Sequence, residues 1–309
     1  MIKVFGHISP DTDSVCSAIA YAWVLNQKGE KASAYRLGKL NKETLYVLKK
    51  FKLKSPPLLE NLNAGDKVII VDTNNPRELP KNINDSEILS IIDHHKLSGG
   101  LSTEKSIPII VKPLGSTATI IWKYAKHLGY KIPNNILGIL LCAILSDTLN
   151  LTSPTTTDKE RDSVKELSDL LKINPDDLAI EIFRAKSDLT GFSPEDILLT
   201  DSKIFNFGGK NTRISVLETT SPRNALKIKN KLAKAMVNQK LSENLSQMYF
   251  FVVDIFKSEA TLIVPSEEEI MNAENAFKHK FVGGVMKLEG VVSRKKQIVP
   301  VLENAIKKT

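Results

Sequence analysis

One short stretch, residues 7–14, places an imidazole and two carboxylates between an apolar run and a segment whose apolar residues recur at helical spacing. This pattern predicts a strand, a tight loop and a helix, with Ser14 as the N-cap. In an open α/β sheet, ligands bind in the loops that follow the strands. His7, Asp11 and Asp13 therefore make up half of a candidate site for a divalent cation. Asp is also common in turns and helix caps, so a purely structural role for both carboxylates stays open.

Strands and helices alternate along the first part of the chain. Residues 67–71 and 87–92 are apolar runs typical of buried strands, whereas residues 115–128 and 133–147 have the apolar patterns of helices. Alternation of this kind predicts βαβ units and a mostly parallel sheet.

A second α/β unit is predicted nearer the C-terminus. Candidate strands at residues 213–218, 248–256 and 260–264 alternate with a long basic helix that begins near Ala225. Residues 186–194 have no clear periodicity and contain glycine and proline, which indicates a linker. The predicted fold class is α/β with two domains, namely a larger N-terminal domain with a mostly parallel sheet and flanking helices (1–186), a linker (187–194) and a smaller C-terminal α/β domain (195–309).

Further residues of the types that bind metal ions stand at the ends of other predicted strands and of a helix. Asp72 ends one strand, His94 and His95 follow another, and Asp147 ends an apolar helix, where a buried carboxylate needs a partner. With residues 7–14, the chain offers more ligands than one ion takes from a protein. The pattern favours two divalent ions about 3.5–4 Å apart that share a carboxylate and a water. Mixed nitrogen and oxygen donors favour Mn²⁺, Fe²⁺ or Co²⁺ over a structural zinc.

A pair of divalent ions predicts chemistry at phosphorus. The ions lower the pKa of a bridging water, so that a hydroxide can attack a phosphate that positive side chains then stabilise. Arg294 and Lys295, with Lys203 just after the predicted linker, are the candidate positive groups. Charge runs usually lie on a solvated surface. The apolar pairs on either side of this run favour a functional role instead.

The net charge of +8 predicts an anionic partner. Charge alone does not choose between a nucleic acid and a small phosphate-bearing substrate. Because no RNA-recognition motif, zinc finger or arginine-rich arm is present, we expect no nucleic-acid partner. No signal peptide or membrane span is recognisable, and both cysteines stand among apolar residues. We therefore expect a cytoplasmic protein with no membrane partner.

Five motifs occur in order between residues 6 and 297, namely Gly6-His7-x-x-Pro10-Asp11-Thr12-Asp13-Ser14, Val71-Asp72, Asp93-His94-His95-Lys96, Ser146-Asp147-Thr148 and Ser293-Arg294-Lys295-Lys296-Gln297. Together they resemble the motifs of the family II inorganic pyrophosphatases, manganese- or cobalt-dependent members of the DHH phosphoesterase superfamily. The first and third motifs mark the superfamily, and the last is specific to the pyrophosphatase branch. The resemblance implies a hydrolase that converts inorganic pyrophosphate to two orthophosphates by a hydroxide bridging two divalent metal ions.

The resemblance also implies a role for each matching residue. The implied metal ligands are His7, Asp11 and Asp72 for one ion and Asp13, Asp72, His94 and Asp147 for the second, with Asp72 bridging. The implied catalytic residues are Asp72 and His95, the latter near the leaving phosphate, and the implied substrate ligands are Lys203, Arg294 and Lys295. Two Mn²⁺ ions (or Co²⁺), a Mg²⁺ ion that arrives with pyrophosphate, a homodimer through the N-terminal domains and a substrate cleft between the two domains are implied as well.

Two positions depart from the family's commonest pattern: Ser9 replaces an Asn and Thr73 replaces a His. Neither is a metal ligand, so we expect an effect on metal preference or rate and not on the reaction. The alternative is a DHH-type exopolyphosphatase or an exonuclease for short oligonucleotides, although Val285 stands after Gly283-Gly284 where nuclease branches typically carry a His. A non-catalytic, metal-bound regulatory or nucleic-acid-binding protein is the remaining hypothesis.

Overall fold

Two five-stranded sheets organise the chain, which the computed structural model describes over residues 1–307. Each sheet belongs to its own compact unit, Met1–Lys186 or Ser187–Thr309. The first unit contains β1 (Ile2–Phe5), α1 (Thr12–Gln27), β2 (Ala32–Ala34), α2 (Lys42–Lys50), β3 (Lys67–Val71), β4 (Glu87–Asp93), β5 (Ile109–Val111), α3 (Thr117–His127), α4 (Asn134–Asp147), α5 (Asp158–Leu171) and α6 (Pro175–Lys186).

All the strand pairs of the first sheet are parallel, and the strand order is β2-β1-β3-β4-β5. In this order β2 lies on one side of β1, and β3, β4 and β5 lie on the other. The point where the strand order reverses is where such sheets open a crevice for ligands. It lies here between β1 and β3, so the loops after these strands start side by side. This confirms the predicted mostly parallel sheet with flanking helices.

The strands next to that crevice are buried because they are apolar on both faces. Val68, Ile70 and Val71 in β3 and Val4 and Phe5 in β1 have no exposed surface. Strands covered by helices on both sides show such continuous apolar runs. Asp72 directly after β3 and His7, two residues beyond the end of β1, therefore emerge from rigid strands.

The second unit carries a mixed sheet of order β10-β9-β8-β7-β6, in which only β7 and β8 are parallel. Its elements are α7 (Pro194–Leu199), β6 (Ser202–Phe207), β7 (Lys210–Thr219), α8 (Pro222–Leu226), α9 (Lys229–Ser242), β8 (Gln247–Asp254), β9 (Glu259–Ile263), α10 (Glu267–Phe277), β10 (Met286–Glu289), a π-helical turn (Arg294–Ile298) and α11 (Val299–Ile306).

The structure corrects two local predictions. The N-cap of α1 is Asp11 and not Ser14, because Oδ1 of Asp11 accepts the backbone N–H of Ser14 at 2.9 Å. The basic helix predicted from Ala225 is two helices, α8 and α9, separated at Lys227 and Ile228. Sequence patterns did not predict β6, α10 or β10, of which β6 and β10 are edge strands with many exposed residues.

Among the helices of residues 1–307, none combines the length and apolar character that crossing a bilayer requires. Cys16 and Cys142 are buried free thiols. Burial raises the pKa of both thiols, as expected for structural cysteines packed in α1 and α4.

Candidate metal centre

Six of the predicted ligands lie together in the first unit. They come from the loop after β1, the start of α1, the ends of β3 and β4, and the last residue of α4. These six form two groups, His7 with Asp11 and Asp72, and Asp13 with Asp72, His94 and Asp147, and a further combination places His95 with Asp72 and His94. Within each group the candidate ligand atoms lie within 4.8 Å of one another. The two groups share one residue, Asp72.

The carboxylate of Asp72 presents one oxygen to each group. Oδ2 lies 3.5 Å from Nε2 of His7, and Oδ1 lies 3.4 Å from Nε2 of His94. The residue has a left-handed backbone with φ of 60°, uncommon outside glycine, and its side chain is 1% exposed. Such a conformation costs on the order of 1–3 kcal/mol and is often found at functional sites. Here it turns the carboxylate between the two groups.

The imidazole of His94 is held in one tautomer. Its Nδ1 lies 3.0 Å from the carbonyl oxygen of Leu114, which can only accept, so Nδ1 carries the hydrogen. Nε2 then keeps a free lone pair, 3.6 Å from Oδ2 of Asp147. A hydrogen bond of this kind on the far nitrogen is the usual support for a metal-binding histidine.

Two buried atoms of this cluster have no hydrogen-bond partner within residues 1–307, namely Nε2 of His94 and Oδ2 of Asp72. Buried polar atoms are nearly always paired, so each unpaired atom calls for an explanation. A nitrogen lone pair and a carboxylate oxygen that face further carboxylates would both be satisfied by a cation. The imidazole and carboxylate donors also match the preferences of Mn²⁺ and related ions. The residues present therefore fit a pair of divalent ions.

The electrostatics of the cluster point in the same direction. Burial, followed by the negative charges of Asp13 and Asp11, holds the pKa of the Asp72 carboxyl well above its usual range. The same causes, in the same order, raise the pKa of Asp147. Several buried carboxylates that repel one another are expensive to ionise without compensating positive charge. Divalent cations supply that compensation and invert the local preference.

Asp13 has a second function in the fold. Its Oδ2 accepts the backbone N–H of Thr117 at 2.6 Å, and its Oδ1 accepts that of Ala118 at 3.0 Å and the hydroxyl of Ser116 at 2.8 Å. The carboxylate thus occupies the positive N-terminus of α3. Asp11 caps α1 in a similar way. Both carboxylates therefore have the structural role that the sequence left open, and both also belong to the ligand groups.

His95 lies beside the cluster, with its Nδ1 4.0 Å from Oδ1 of Asp72, but it is hydrogen-bonded to a different carboxylate. Its Nδ1 donates to Oδ1 of Asp93 at 2.9 Å, while its side chain is 55% exposed. Asp93 is fully buried, and its Oδ2 also accepts from Nδ2 of Asn74 at 2.5 Å. The hydrogen bond to Asp93 raises the pKa of His95, although burial opposes it. The sequence motifs did not predict this role of Asp93, because a sequence does not show which carboxylate supports which imidazole.

The predicted phosphate-binding residues lie in the second unit. Lys203 is an exposed residue of β6, and Lys295 is exposed in the π-helical turn. Nη1 of Arg294 contacts Asp201 twice, at 2.8 Å to Oδ1 and at 3.0 Å to the backbone carbonyl oxygen. These contacts tie the turn to the start of β6. Gln297 orders the turn from within, since its Oε1 accepts the backbone N–H groups of residues 292 and 293.

Comparisons with known proteins identify the family. Residues 1–144 match the DHH family, N-terminal domain, and residues 180–305 match the DHHA2 domain. The chain is 39% identical to a probable manganese-dependent inorganic pyrophosphatase of Deinococcus radiodurans, over 98% of each chain. This protein belongs to the manganese-dependent inorganic pyrophosphatase family.

Other members of this pyrophosphatase family agree. The chain is 35% identical to the manganese-dependent inorganic pyrophosphatase of Bacillus subtilis, over 99% of this chain and 98% of that one. A solved structure of a putative family II inorganic pyrophosphatase from Methanococcus jannaschii matches with a TM-score of 0.73 and 36% identity, and the match covers 99% of both chains. The family predicted from the five motifs is thereby confirmed, together with its two-part α/β architecture.

The two departures from the commonest pyrophosphatase pattern flank the cluster. Thr73 is buried directly after Asp72, and its hydroxyl donates to Oε2 of Glu78 at 2.9 Å. The backbone oxygen of Glu78 in turn accepts the N–H of Ile8, at 2.9 Å. Thr73 therefore helps to hold the β3 loop against the β1 loop. Ser9 is exposed on the β1 loop.

Proposed function

We propose that this protein hydrolyses inorganic pyrophosphate to two orthophosphates with two divalent metal ions, Mn²⁺ first and Co²⁺ second. The observation that carries the proposal is the Asp72 carboxylate, whose two oxygens face two separate ligand groups. A shared carboxylate between two sets of nitrogen and oxygen donors is the arrangement of two-metal phosphate chemistry. The family's manganese-dependent pyrophosphatases support the choice of substrate and metal.

The residues of the first unit divide into two metal sites. The proposed ligands are His7, Asp11 and Asp72 for the first ion and Asp13, Asp72, His94 and Asp147 for the second. When bound, such ions lower the pKa of a coordinated water and polarise phosphoryl oxygens. We propose that a Mg²⁺ ion accompanies pyrophosphate, whose own charge needs a counterion.

His95 is proposed to act on the leaving phosphate. Because its Nδ1 hydrogen is engaged by Asp93, its Nε2 is left for the substrate. The pKa of Asp93 is lowered by its hydrogen bonds with His95 despite its burial, so the carboxylate stays ionised and favours a charged imidazole. A charged His95 donates an Nε2 hydrogen to a phosphate oxygen as negative charge builds there.

Lys203, Arg294 and Lys295 are proposed to bind the terminal phosphate. Three cations balance the charge that spreads over the phosphoryl oxygens during transfer. Arg294 is suited to this role because its guanidinium is oriented by Asp201 while keeping further N–H donors. We accordingly assign metal binding to a catalytic domain at residues 1–186 and substrate binding to residues 195–309, with 187–194 as the linker.

We also propose a cytoplasmic homodimer that assembles through the N-terminal domain and has no nucleic-acid partner. The resemblance to the family motivates the dimer, and the absence of recognisable nucleic-acid-binding motifs motivates the last point. Light scattering behind a sizing column measures the mass directly. A mass of one chain at micromolar concentration would contradict the dimer.

The test of the activity is phosphate release by metal-stripped protein after Mn²⁺, Co²⁺, Zn²⁺ or Mg²⁺ has been added back separately. Pyrophosphate, tripolyphosphate and a short oligonucleotide are the substrates, and protein without added metal is the control. Release from pyrophosphate with Mn²⁺ or Co²⁺, and little from the other two substrates, is expected. If no phosphate is released from pyrophosphate with any of the metals, the proposal is overturned. Release of nucleotides from the oligonucleotide would identify an exonuclease instead.

A further inference from the structure

The first residue of α3 contacts both of the carboxylates that sit deepest in the cluster. The hydroxyl of Thr117 donates to Oδ1 of Asp72 at 2.9 Å, and its backbone N–H donates to Oδ2 of Asp13 at 2.6 Å. We propose that Thr117 is a positioning residue, which fixes the rotation of the Asp72 carboxylate so that each oxygen serves one metal site. This inference rests on the proposed two-metal centre.

The Asp72 carboxylate needs such a restraint. The final torsion of an Asp side chain is broad, so that its two oxygens readily exchange directions. Within residues 1–307 the structure shows a single hydrogen bond to this carboxylate, the one from Thr117 to Oδ1, and Oδ2 has no partner. With Oδ1 held on the side of His94, Oδ2 is directed to His7, 3.5 Å away.

Thr117 is itself rigid. It is fully buried, and threonine has few side-chain rotamers in a helix. Its backbone is anchored by Asp13, which also accepts from Ser116 and Ala118 in the same turn. The hydroxyl therefore has little freedom to follow Asp72 if that side chain rotates, and it restrains the carboxylate.

Thr117 touches ligands of the two sites unequally. Both of its contacts, with Asp13 and Asp72, belong to the group that includes His94 and Asp147. In the other group it touches only the shared residue. Loss of its hydroxyl should therefore weaken the site with His94 more than the site with His7.

The chain offers a matched control on the same helix. Thr119 is also fully buried, but its hydroxyl has no hydrogen-bond partner within residues 1–307. Thr119→Val and Thr117→Val make the same chemical change two residues apart. Only the second removes a bond to the cluster. Thr117→Ser keeps the hydroxyl and removes only a methyl group.

The experiment is a Mn²⁺ titration of metal-stripped protein, in which free Mn²⁺ is read from its electron paramagnetic resonance signal. Wild type is expected to bind two ions. Thr117→Val is expected to bind one ion nearly as wild type does and the other about 10–100-fold more weakly. Thr117→Ser and Thr119→Val are expected to resemble wild type. Circular dichroism establishes that each variant is folded, and Thr117→Ala replaces Thr117→Val if the latter is not.

Three results would overturn the inference. Wild-type binding of both ions by Thr117→Val is the first, and equal weakening in Thr119→Val is the second. Equal weakening in Thr117→Ser is the third, because the hydroxyl would then not be responsible. If wild type itself does not bind two ions, the proposed metal centre fails, which is a separate and distinguishable outcome.

Discussion

His95 donates its Nδ1 hydrogen to Oδ1 of Asp93 over 2.9 Å, so this nitrogen is engaged by a carboxylate outside the six proposed metal ligands. The neighbouring His94 is held the other way, with Nε2 facing the carboxylates. Two adjacent histidines thus present different nitrogens to different partners. We therefore propose that His94 binds metal and His95 acts on the substrate.

This separation predicts the effect of His95→Gln. Phosphate release from pyrophosphate should fall about 10²–10⁴-fold, the usual effect of losing a positioned proton donor. Mn²⁺ binding should stay close to wild type, since Nδ1 of His95 is engaged by Asp93. Steady-state kinetics and a Mn²⁺ titration of the same preparation check both statements. His127→Gln, at the exposed end of α3, is the control with unchanged kinetics. A His95 variant that loses an ion would mean that His95 is a metal ligand.

The shared carboxylate predicts a different result for Asp72→Asn. Activity should fall by more than about 100-fold, beyond the range found for residues that merely support ligands. The Mn²⁺ content should also drop below two ions per chain, because an amide is a poor bridging ligand. Elemental analysis of dialysed protein, paired with the activity assay, gives both numbers. Full turnover with two ions bound would contradict the shared role.

Arg294→Gln should reduce turnover of pyrophosphate about 10²–10³-fold, the range for removing one donor to a transition-state charge. Metal binding should not change, because Arg294 belongs to the second unit and the ligands belong to the first. The neighbouring exposed Lys296 supplies the control, Lys296→Gln, with kinetics near wild type. Equal losses in both variants would show that general positive charge matters and not the guanidinium.

Alkaline stability offers a prediction independent of the metal centre. Burial, and then the nearby Tyr124, raises the pKa of Tyr21 to about 12 from 10.0. The unfolded chain loses this proton near pH 10 and the folded chain near pH 12, so folded-state stability falls as the pH rises between them. The loss reaches at most about 3 kcal/mol. Tyr21→Phe should remove it, so the free energy of unfolding in urea should fall less from pH 8 to pH 11 than in wild type. Metal-stripped protein is used, so that the metal centre does not contribute.

The candidate ligands at the ends of strands were predictable from the sequence, whereas the contacts that hold these side chains in place were not. Buried apolar runs ending in Asp72 or in the DHH motif place ligands at one sheet edge, because parallel strands share a direction. The hydroxyl that holds Asp72 belongs to Thr117, which lies 45 positions later at the start of α3. No local pattern marks that contact. The contact between the carbonyl oxygen of Leu114 and Nδ1 of His94 was unpredictable for the same reason, since every residue carries a carbonyl group.

In the second unit, a different factor limited the prediction of secondary structure from the sequence. The edge strand β10 alternates buried and exposed residues, but it spans only four of them, which is too short for the alternation to stand out in a single sequence. The break between α8 and α9 falls at Lys227 and Ile228, neither of which is a helix breaker.

The left-handed backbone at position 72 has a consequence for anyone who would transplant this site. Asp and Asn enter that conformation more readily than other residues with a side chain, and of these two only Asp brings a negative charge. Glu adopts this backbone conformation less readily, and Gly has no carboxylate to act as a ligand. A designer who grafts the cluster onto another sheet therefore has to copy the turn after β3 along with the side chains.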